Sequence, residues 1–381
     1  MTRFKKNLLF IHRWLGFISG LVVFIVSVTG CLFVFQDDIQ DALYSYRKVE
    51  VQNKPYLPPS ALKAIAFKKY ANAGSDYTVY YGPDRPAVVM LNVPKLGTHY
   101  IYLNPYTGQF LHDENIDRNF FIVVEYIHLY LLLPPKIGGL IVGTSVVIFV
   151  ILLISGMVLW WPKRKADRKR SFTIKWKGRW RRVNYDLHNV LGFYACSIAL
   201  ILGITGLAIA FEWMQKGIYS AANLGKTYAF EKSEIKSNPI RSSVQVKQPL
   251  DKAFSYAKAH SPRAQMFFLY GGDKKTNTPA SVTAYAQSLH YYHGDDYSFD
   301  RYSGKLLKAL PHQSKSPGMK MNDANYDIHV GQLLGFPGKV IAFLTSLICA
   351  SLPVTGFIVW LGKRKKKKRN PKIRHHQPAV A

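Results

Sequence analysis

Four long apolar segments are the feature that most constrains the fold of this chain. They contain no acidic residue and almost no basic one, and each can cross about 30 Å of hydrocarbon at about 1.5 Å of helix per residue. A buried core helix is the alternative for any single segment, but four of them in 381 residues indicate a membrane protein. The first is too long for the apolar part of a signal peptide and lacks a small-residue cleavage site. We therefore predict four transmembrane helices, at residues 14–35, 138–161, 190–211 and 336–361.

The distribution of basic residues predicts the orientation. The chain carries 51 Lys and Arg against 22 Asp and Glu, and 24 of the 51 lie in residues 1–13, 162–187 and 362–381. By the positive-inside rule both termini and the 162–187 loop face the cytosol. The loops 36–137 and 212–335 then lie outside, in the periplasm if the cell is bacterial. Nucleic-acid binding is the rival explanation for a net charge of +29. Basic runs beside spans favour anchoring to anionic lipid instead, so we expect a lipid membrane and no nucleic acid as partner.

Two copies of one unit make up the sequence, which is the pattern to seek before any motif. The first and third spans match without a gap, and so do parts of the outer loops and the segments around the second and fourth spans. The matches are HRWLGF (12–17) with HNVLGF (188–193), Thr29-Gly30 with Thr205-Gly206, YIH (126–128) with DIH (327–329), Ser155-Gly156 with Thr355-Gly356, and YLNPYTGQFL (102–111) with SFDRYSGKLL (298–307). Since both copies begin in the cytosol, they are parallel repeats related by a pseudo-two-fold axis along the membrane normal.

Each outer loop contains a predicted helix followed by short alternating segments. The helices span residues 60–71, with Ser60 as N-cap, and residues 249–260. The alternating segments predict strands of a small antiparallel sheet, at residues 77–81, 87–93, 98–103, 265–270 and 281–286. The predicted fold class is an α-helical membrane protein with four transmembrane helices as two parallel repeats, each carrying an inserted periplasmic α+β domain.

Four histidines occupy repeat-equivalent positions at the ends of the spans. His12 and His188 begin the first and third spans on the cytosolic side, and His128 and His329 precede the second and fourth on the outer side. A pseudo-two-fold axis brings equivalent residues face to face, so each pair can ligate one metal from opposite sides, as a bis-imidazole haem requires. Ionisable side chains near hydrocarbon are functional candidates. A non-haem copper or zinc site is the rival, although two histidines without nearby Cys or Met are a sparse ligand set.

The depth of the outer pair and the purpose of nearby small residues stay open from the sequence. His128 precedes Pro134-Pro135, so it belongs either to the second span or to a short interfacial helix. Small residues follow the inner histidines at helical spacing. Either a flat macrocycle or close helix packing explains them, and the same holds for the four Ser/Thr-Gly pairs. These small residues are Gly16 and Gly20 after His12, and Gly192 and Cys196 after His188. His290 and His293 fall in a predicted strand as surface residues.

Over nearly its whole length the chain resembles the PepSY-associated transmembrane family. The resemblance rests on HRWLGF, the Thr-Gly pairs, GMVLWWPKRK (156–165), DLHNVLGF (186–193) and the two turn signatures of the outer loops. The family includes iron-regulated inner-membrane proteins and FoxB-like siderophore reductases. The resemblance implies four spans, periplasmic PepSY domains, two b-type haems with bis-His ligation, and electron transfer to ferric siderophores. By the same resemblance His12, His128, His188 and His329 match the ligand histidines.

The expected function is a di-haem b protein of the bacterial inner membrane that reduces a periplasmic ferric siderophore by outer-sphere transfer. The chain has no Gly-x-Gly-x-x-Gly after a strand and no P-loop, so electrons must come from a partner, either a cytosolic flavin reductase or a membrane quinol. The rival hypothesis is a PepSY binding or regulatory module that controls a periplasmic peptidase or envelope partner. A transporter of iron chelates is disfavoured, because no span contains an acidic residue to couple ions.

Overall fold

The structure is a computed structural model that describes residues 2–75, 77–162, 164–165, 168–239, 248–272 and 276–369. Residues 370–381 of the predicted basic tail lie outside the described residues, as do Lys163 and Asp167 of the predicted cytosolic loop. The chain forms two compact units. The first contains the chain up to Cys31, Ile127–Ile204 and the chain from Ala342 onward, and the second contains Leu32–Tyr126 and Thr205–Ile341.

The described part of the chain contains thirteen α-helices, and a π-helical turn at Leu187–Leu191 joins the seventh to the eighth. Four helical segments are long and apolar enough to cross a membrane: Arg3–Phe33, Pro135–Trp160, Trp180–Ala210 and Gln332–Gly362. They confirm the four predicted spans by length and composition. The helices are α1 Arg3–Phe33, α2 Gln36–Leu43, α3 Pro59–Lys69, α4 Phe120–Tyr130, α5 Pro135–Trp160, α6 Arg168–Phe172, α7 Trp180–Asp186, α8 Gly192–Ala210, α9 Glu212–Ala222, α10 Ala229–Lys232, α11 Pro249–His260, α12 Pro317–His329 and α13 Gly335–Arg369.

The long helices expose large apolar side chains and bury small residues, as helices surrounded by lipid can. Large apolar side chains such as Ile18 and Leu21 of α1 are about 70% exposed, at 69% and 72%. The buried positions of the same helix are small, among them Ser19 and Gly20. A Cβ on Gly20 would lie 3.3 Å from the Cβ of Pro353 in α13. Small residues let helix backbones approach closely where no hydrophobic effect drives association.

The second unit contains one antiparallel sheet of eight strands, in the order β4-β3-β2-β1-β5-β6-β7-β8. The sequence predicted two separate small sheets, and that expectation is wrong, because β1 pairs with β5 through residues such as Val79 and Phe268. Each half alone would leave an unpaired strand edge at this position, and joining the two edges satisfies their backbone groups. The strands are β1 Tyr77–Tyr80, β2 Ala87–Val93, β3 Gly97–Leu103, β4 Phe110–Asn115, β5 Met266–Tyr270, β6 Ala280–Tyr285, β7 Gly294–Phe299 and β8 Leu306–Leu310.

Helices α3 and α11 cover the sheet and form its core with it. Leu62 of α3 and Phe254 of α11 are almost fully buried among strand residues of both halves. The predicted N-cap role of Ser60 is wrong, since α3 begins at Pro59 and Pro58 is its cap residue. Ser60 instead donates its backbone N–H and its hydroxyl to the carboxylate of Asp251 in α11. An acidic side chain from the second half therefore serves the N-terminus of the helix in the first half.

The two repeated turn signatures are Asx-turns that close matching hairpins. Asn104 Oδ1 accepts the backbone N–H groups of Tyr106 and Thr107 between β3 and β4. Asp300 Oδ1 accepts the equivalent bonds between β7 and β8. Gly108 has φ 75° in the first of these turns, and a Cβ there would lie 2.5 Å from Ile65 Cδ1. Glycine is therefore needed for both backbone conformation and space.

Candidate functional site

His12 lies in α1 and contacts α5 through one ring nitrogen. Its Nδ1 lies 2.8 Å from Oγ of Ser155. Ser155 donates its hydroxyl hydrogen to the carbonyl oxygen of Leu152, 3.2 Å away, so its oxygen is the acceptor toward the imidazole. We therefore assign the His12 proton to Nδ1, which leaves the lone pair on Nε2.

His188 lies in the π-helical turn between α7 and α8 and makes the same kind of bond to α13. Its Nδ1 lies 3.0 Å from Thr355 Oγ1, and Thr355 donates to the carbonyl oxygen of Ser351 at 2.8 Å. We assign the imidazole proton to Nδ1 here as well. Single π-helical turns inside α-helices are frequent at functional sites, and this one contains the residue that the repeat equates with His12.

His128 lies in α4, a separate short helix ahead of α5, which decides between the two placements that the sequence left open. Its Nδ1 lies 2.9 Å from the carbonyl oxygen of Val26 and 3.1 Å from Thr29 Oγ1, both in α1. A carbonyl oxygen can only accept, so this imidazole also carries its proton on Nδ1. Thr29 donates its own hydroxyl to the carbonyl oxygen of Ile25.

His329 is the last residue of α12, and the turn Gln332–Leu334 separates it from α13. Its Nδ1 lies 3.1 Å from Oγ1 of Thr205 in α8. All four sequence-predicted histidines thus hydrogen-bond a Ser or Thr hydroxyl through Nδ1. Each hydroxyl comes from the same repeat as its histidine. In the first repeat α1 contacts α5 and α4 in this way. In the second repeat the turn before α8 contacts α13, and α8 contacts α12.

The glycine of each Ser/Thr-Gly pair lies against the histidine that the hydroxyl binds. A Cβ added to any of these glycines would lie close to Cε1 of the histidine. The distances are 3.3 Å for Gly30 and His128, 3.3 Å for Gly156 and His12, 2.9 Å for Gly206 and His329, and 3.1 Å for Gly356 and His188. Each pair therefore offers an acceptor at one position and an absent side chain at the next. The sequence identified both the pairs and the histidines, but it did not predict that each pair contacts a histidine. Their common repeat offsets could have indicated this.

The other small residues near the inner histidines have mixed surroundings. A Cβ on Gly16 would meet no atom within 4 Å, whereas a Cβ on Gly192 would touch Leu352 Cδ2 at 3.5 Å. Cys196 is buried in an apolar cluster with Leu153 and Cys349. Gly20, Gly192 and Cys196 thus contact neighbouring helices, and Gly16 faces open space one turn after His12.

The histidines of the outer loops belong to the sheet unit. His99 Nδ1 lies 2.8 Å from Asp113 Oδ1, and His260 stacks on Tyr256. The strand predicted at His290 and His293 is wrong, because both precede β7 and His293 has φ 69°. In the part of the chain that the structure describes, no three His, Cys, Asp or Glu side chains converge as ligands for a bare metal ion.

Comparison with known protein families identifies the chain. The family model described as PepSY-associated TM region matches residues 9–363. The chain belongs to this family. The match includes all four histidines and their hydroxyl partners, so the repeated contacts lie within the family region. No curated protein matches the chain.

The second unit of this PepSY-associated TM protein contains a cavity of about 430 Å³. Its walls come from the start of α2, the sheet, α4, α12 and the loop before β7. Five of its lining side chains are tyrosines, namely Tyr81, Tyr100, Tyr102, Tyr291 and Tyr326. No sequence motif indicated this cavity, because its lining combines residues that are far apart in the chain, from Phe33 to Tyr326.

The charges of the cavity are mostly paired. Arg47 binds Asp37 at 2.6 Å and Asp41 at 2.7 Å, and Arg85 binds Asp41 as well. Burial alone would raise the pKa of Asp41, but its bonds to Arg85 and Arg47 hold that pKa below the usual value. Glu125 is the exception: burial raises its pKa, and no partner for it is present among the described residues.

Proposed function

We propose that this protein is a two-haem b-type oxidoreductase of the bacterial inner membrane that passes electrons to a periplasmic ferric siderophore. His12 and His188 hold one haem near the cytosolic face, and His128 and His329 hold the other near the outer face. The pairing is inferred from the repeat, and the resemblance to the family supports the four histidines as ligands. The termini and the 162–187 loop are cytosolic in this proposal, and the sheet unit is periplasmic.

The observation that supports the proposal is the shared hydrogen bond of the four histidines. Bis-imidazole ligation requires neutral rings whose ligating nitrogen carries a lone pair. A hydroxyl or carbonyl acceptor at Nδ1 selects that tautomer and fixes the ring plane, as the outer-shell partners of metal-ligating histidines do elsewhere. A Ser or Thr hydroxyl at Nδ1 occurs four times, once at each position that the repeat singled out, which supports this set of histidines as the donors for two haems.

A haem held by such a pair of histidines would supply one-electron transfer. The chain's own residues do the rest. Ser155, Thr355, Thr29 and Thr205 orient the imidazoles, and the apolar helices exclude water around them. The iron acceptor docks on the sheet unit, where the tyrosine-lined cavity offers a partly organic ligand an aromatic surface. The electron donor is a separate partner, a flavin reductase or a membrane quinol.

The first test of this function is the optical spectrum and haem content of the detergent-purified protein from haem-replete cells. We expect two non-covalent haems per chain and sharp reduced bands after dithionite. His12→Ala and His329→Ala should each lower the content to about one, since each removes one axial ligand. His260→Ala is the matched control, because His260 is exposed and stacks on Tyr256.

The second test asks whether the reduced protein is re-oxidised by a ferric siderophore with release of Fe(II), trapped by an Fe(II)-specific chelator. Bands that reappear in their oxidised form together with trapped Fe(II) support the proposal. A colourless protein from haem-replete cells would instead favour the PepSY binding module and would exclude this function.

A further inference from the structure

Glu125 is the one cavity carboxylate without a partner among the described residues. Asp37 pairs with Arg47. Glu114 accepts hydrogen bonds from Tyr102 at 2.9 Å and Asn119 at 2.6 Å. Glu125 is partly buried and lines the same cavity. A carboxylate removed from bulk water without a compensating hydrogen bond is costly unless it is protonated or meets a ligand.

The surroundings of Glu125 favour its protonated form. Burial raises its pKa, and Tyr100 and Tyr326 feel its charge, which adds to the burial that raises their own pKa values. The other charged cavity residues are Asp37 on α2, Glu114 on β4, and the arginines Arg47 and Arg85. Both arginines are held by aspartates. Burial, with no charged partner among the described residues to offset it, thus lets Glu125 hold a proton at higher pH than an ordinary glutamate.

Hydrogen bonds join the loop that forms one wall of the cavity to α12, the helix that ends at His329. Asp327 of α12 is fully buried and accepts the backbone N–H groups of Tyr291 at 3.0 Å and Tyr292 at 2.8 Å. The ring of Tyr291 packs edge-on against Tyr326, with centroids 5.1 Å apart. Tyr326 lies three residues before His329 on α12, which is one helical turn. Glu125 has the equivalent position in α4, three residues before His128.

We propose that the cavity accepts one oxygen-donor arm of the ferric chelate and that Glu125 gives a proton to that arm when the iron is reduced. This inference rests on the proposed function, which would supply the electron. One electron converts Fe(III) to Fe(II), and the bond between iron and the donor oxygen breaks. The O–H bond of Glu125 breaks and an O–H bond forms on the donor, so the arm leaves neutral and Glu125 remains as carboxylate until solvent re-protonates it. Protonation stops the arm from rebinding the iron.

The kinetic test compares wild type with Glu125→Gln, using Glu212→Gln as control. Glu212 is exposed, pairs with Lys216 and lies outside the cavity. Each protein is reduced with dithionite, freed of excess reductant and mixed with a ferric trihydroxamate at several pH values, in H₂O and in D₂O. We expect the wild-type re-oxidation rate to fall as pH rises through the raised pKa of Glu125, with a solvent isotope effect. Glu125→Gln should be slower by about 10² at low pH, the usual size of a general-acid contribution, with no pH dependence there.

A binding test without turnover uses the redox-inert Ga(III) complex of the same trihydroxamate, titrated calorimetrically. Wild type, Glu125→Gln and Glu212→Gln should bind it equally. Ile122→Trp, which adds bulk to the α4 wall of the cavity, should abolish binding. Val123→Trp is its control, because Val123 is exposed and does not line the cavity.

The outcomes separate this inference from the function on which it rests. If no ferric chelate re-oxidises wild type, the proposed function fails. If wild type reacts and Glu125→Gln keeps its rate and pH profile, only the proton-donor role fails. Loss of Ga(III)-chelate binding in Glu125→Gln would make Glu125 a binding group and overturn the proton transfer, and full binding by Ile122→Trp would remove the cavity from the docking site.

Discussion

Each Ser/Thr-Gly pair combines a hydrogen-bond acceptor with a position that has no side chain. The hydroxyls of Ser155, Thr29 and Thr355 also lie within hydrogen-bond distance of a carbonyl oxygen of their own helix, which favours the oxygen as the acceptor toward the imidazole. The glycine that follows leaves room for the ring to lie against the helix backbone. A serine or threonine elsewhere in a helix commonly bonds backward in this way, but here the same hydroxyl also bonds a histidine.

Removing one such hydroxyl should weaken haem binding without unfolding the protein. Thr355→Val keeps the side-chain shape but leaves Nδ1 of His188 without its acceptor at 3.0 Å. Loss of an outer-shell partner typically costs 10- to 100-fold in affinity, so we expect haem loss to apomyoglobin to be about that much faster for one of the two haems. Thr345→Val is the control, a buried threonine ten residues earlier in α13. Equal haem loss from both variants would contradict the orienting role.

Filling the space beside an outer histidine should displace its ring. In Gly206→Ala the new Cβ would lie 2.9 Å from Cε1 and 3.5 Å from Nδ1 of His329, too close for the imidazole to keep its place. We expect the haem content of the purified protein to fall from about two to about one, since one ligand set is disturbed. Gly217→Ala in α9 meets no atom within 4 Å. That control should keep both haems and gain at most about 1 kcal/mol of helix stability. Two haems in Gly206→Ala would show that His329 is not a ligand.

Hydropathy and the sequence pattern predicted the four long helices and five of the eight strands. The spans follow from apolar length, since a lipid-exposed helix has no polar face. Helices α3 and α11 follow from the prolines at their first turns, although the predicted cap Ser60 is wrong. The strands β4, β7 and β8 were missed, because sequences such as FLHDEN and GDDYSF lack clear alternation. The β1–β5 pairing was missed because local sequence does not say which edge a strand will meet. The π-helical turn at His188 has no local signal either.

The junction of the two half-sheets should couple their stabilities. Val79 is fully buried and pairs with Phe268 across the junction. Val79→Ala should cost roughly 2 kcal/mol through lost burial and the cavity left behind. Because the core is shared, amide hydrogen exchange should accelerate in β3 and β7 alike. Val51→Ala, at a side chain 60% exposed, should change neither. Faster exchange confined to the first half would mean that the halves unfold independently.

For the whole molecule, the repeat explains why one set of contacts occurs twice. Two similar halves each supply two histidines and two hydroxyl-glycine pairs, and their outer loops combine into one sheet whose strand order is symmetric about the β1–β5 pair. The cavity is lined mainly by the first half, including Tyr100, with Leu289, Tyr291 and Tyr326 contributed by the second. The repeated sequence thus accounts for two equivalent sets of histidine contacts, and the joining of the loops accounts for the single sheet.

Orientation in the membrane decides whether electrons can pass outward as proposed, and cysteine labelling tests it. Cys31, Cys196 and Cys349 are all buried, so the native thiols give a low background with a membrane-impermeant maleimide. Thr227→Cys places an exposed thiol in the outer loop region, and Lys177→Cys places one in the basic loop. By the positive-inside rule, spheroplasts should be labelled at position 227 without permeabilisation and at position 177 only after it. The reverse pattern would place the sheet unit in the cytosol, where no periplasmic siderophore could reach it.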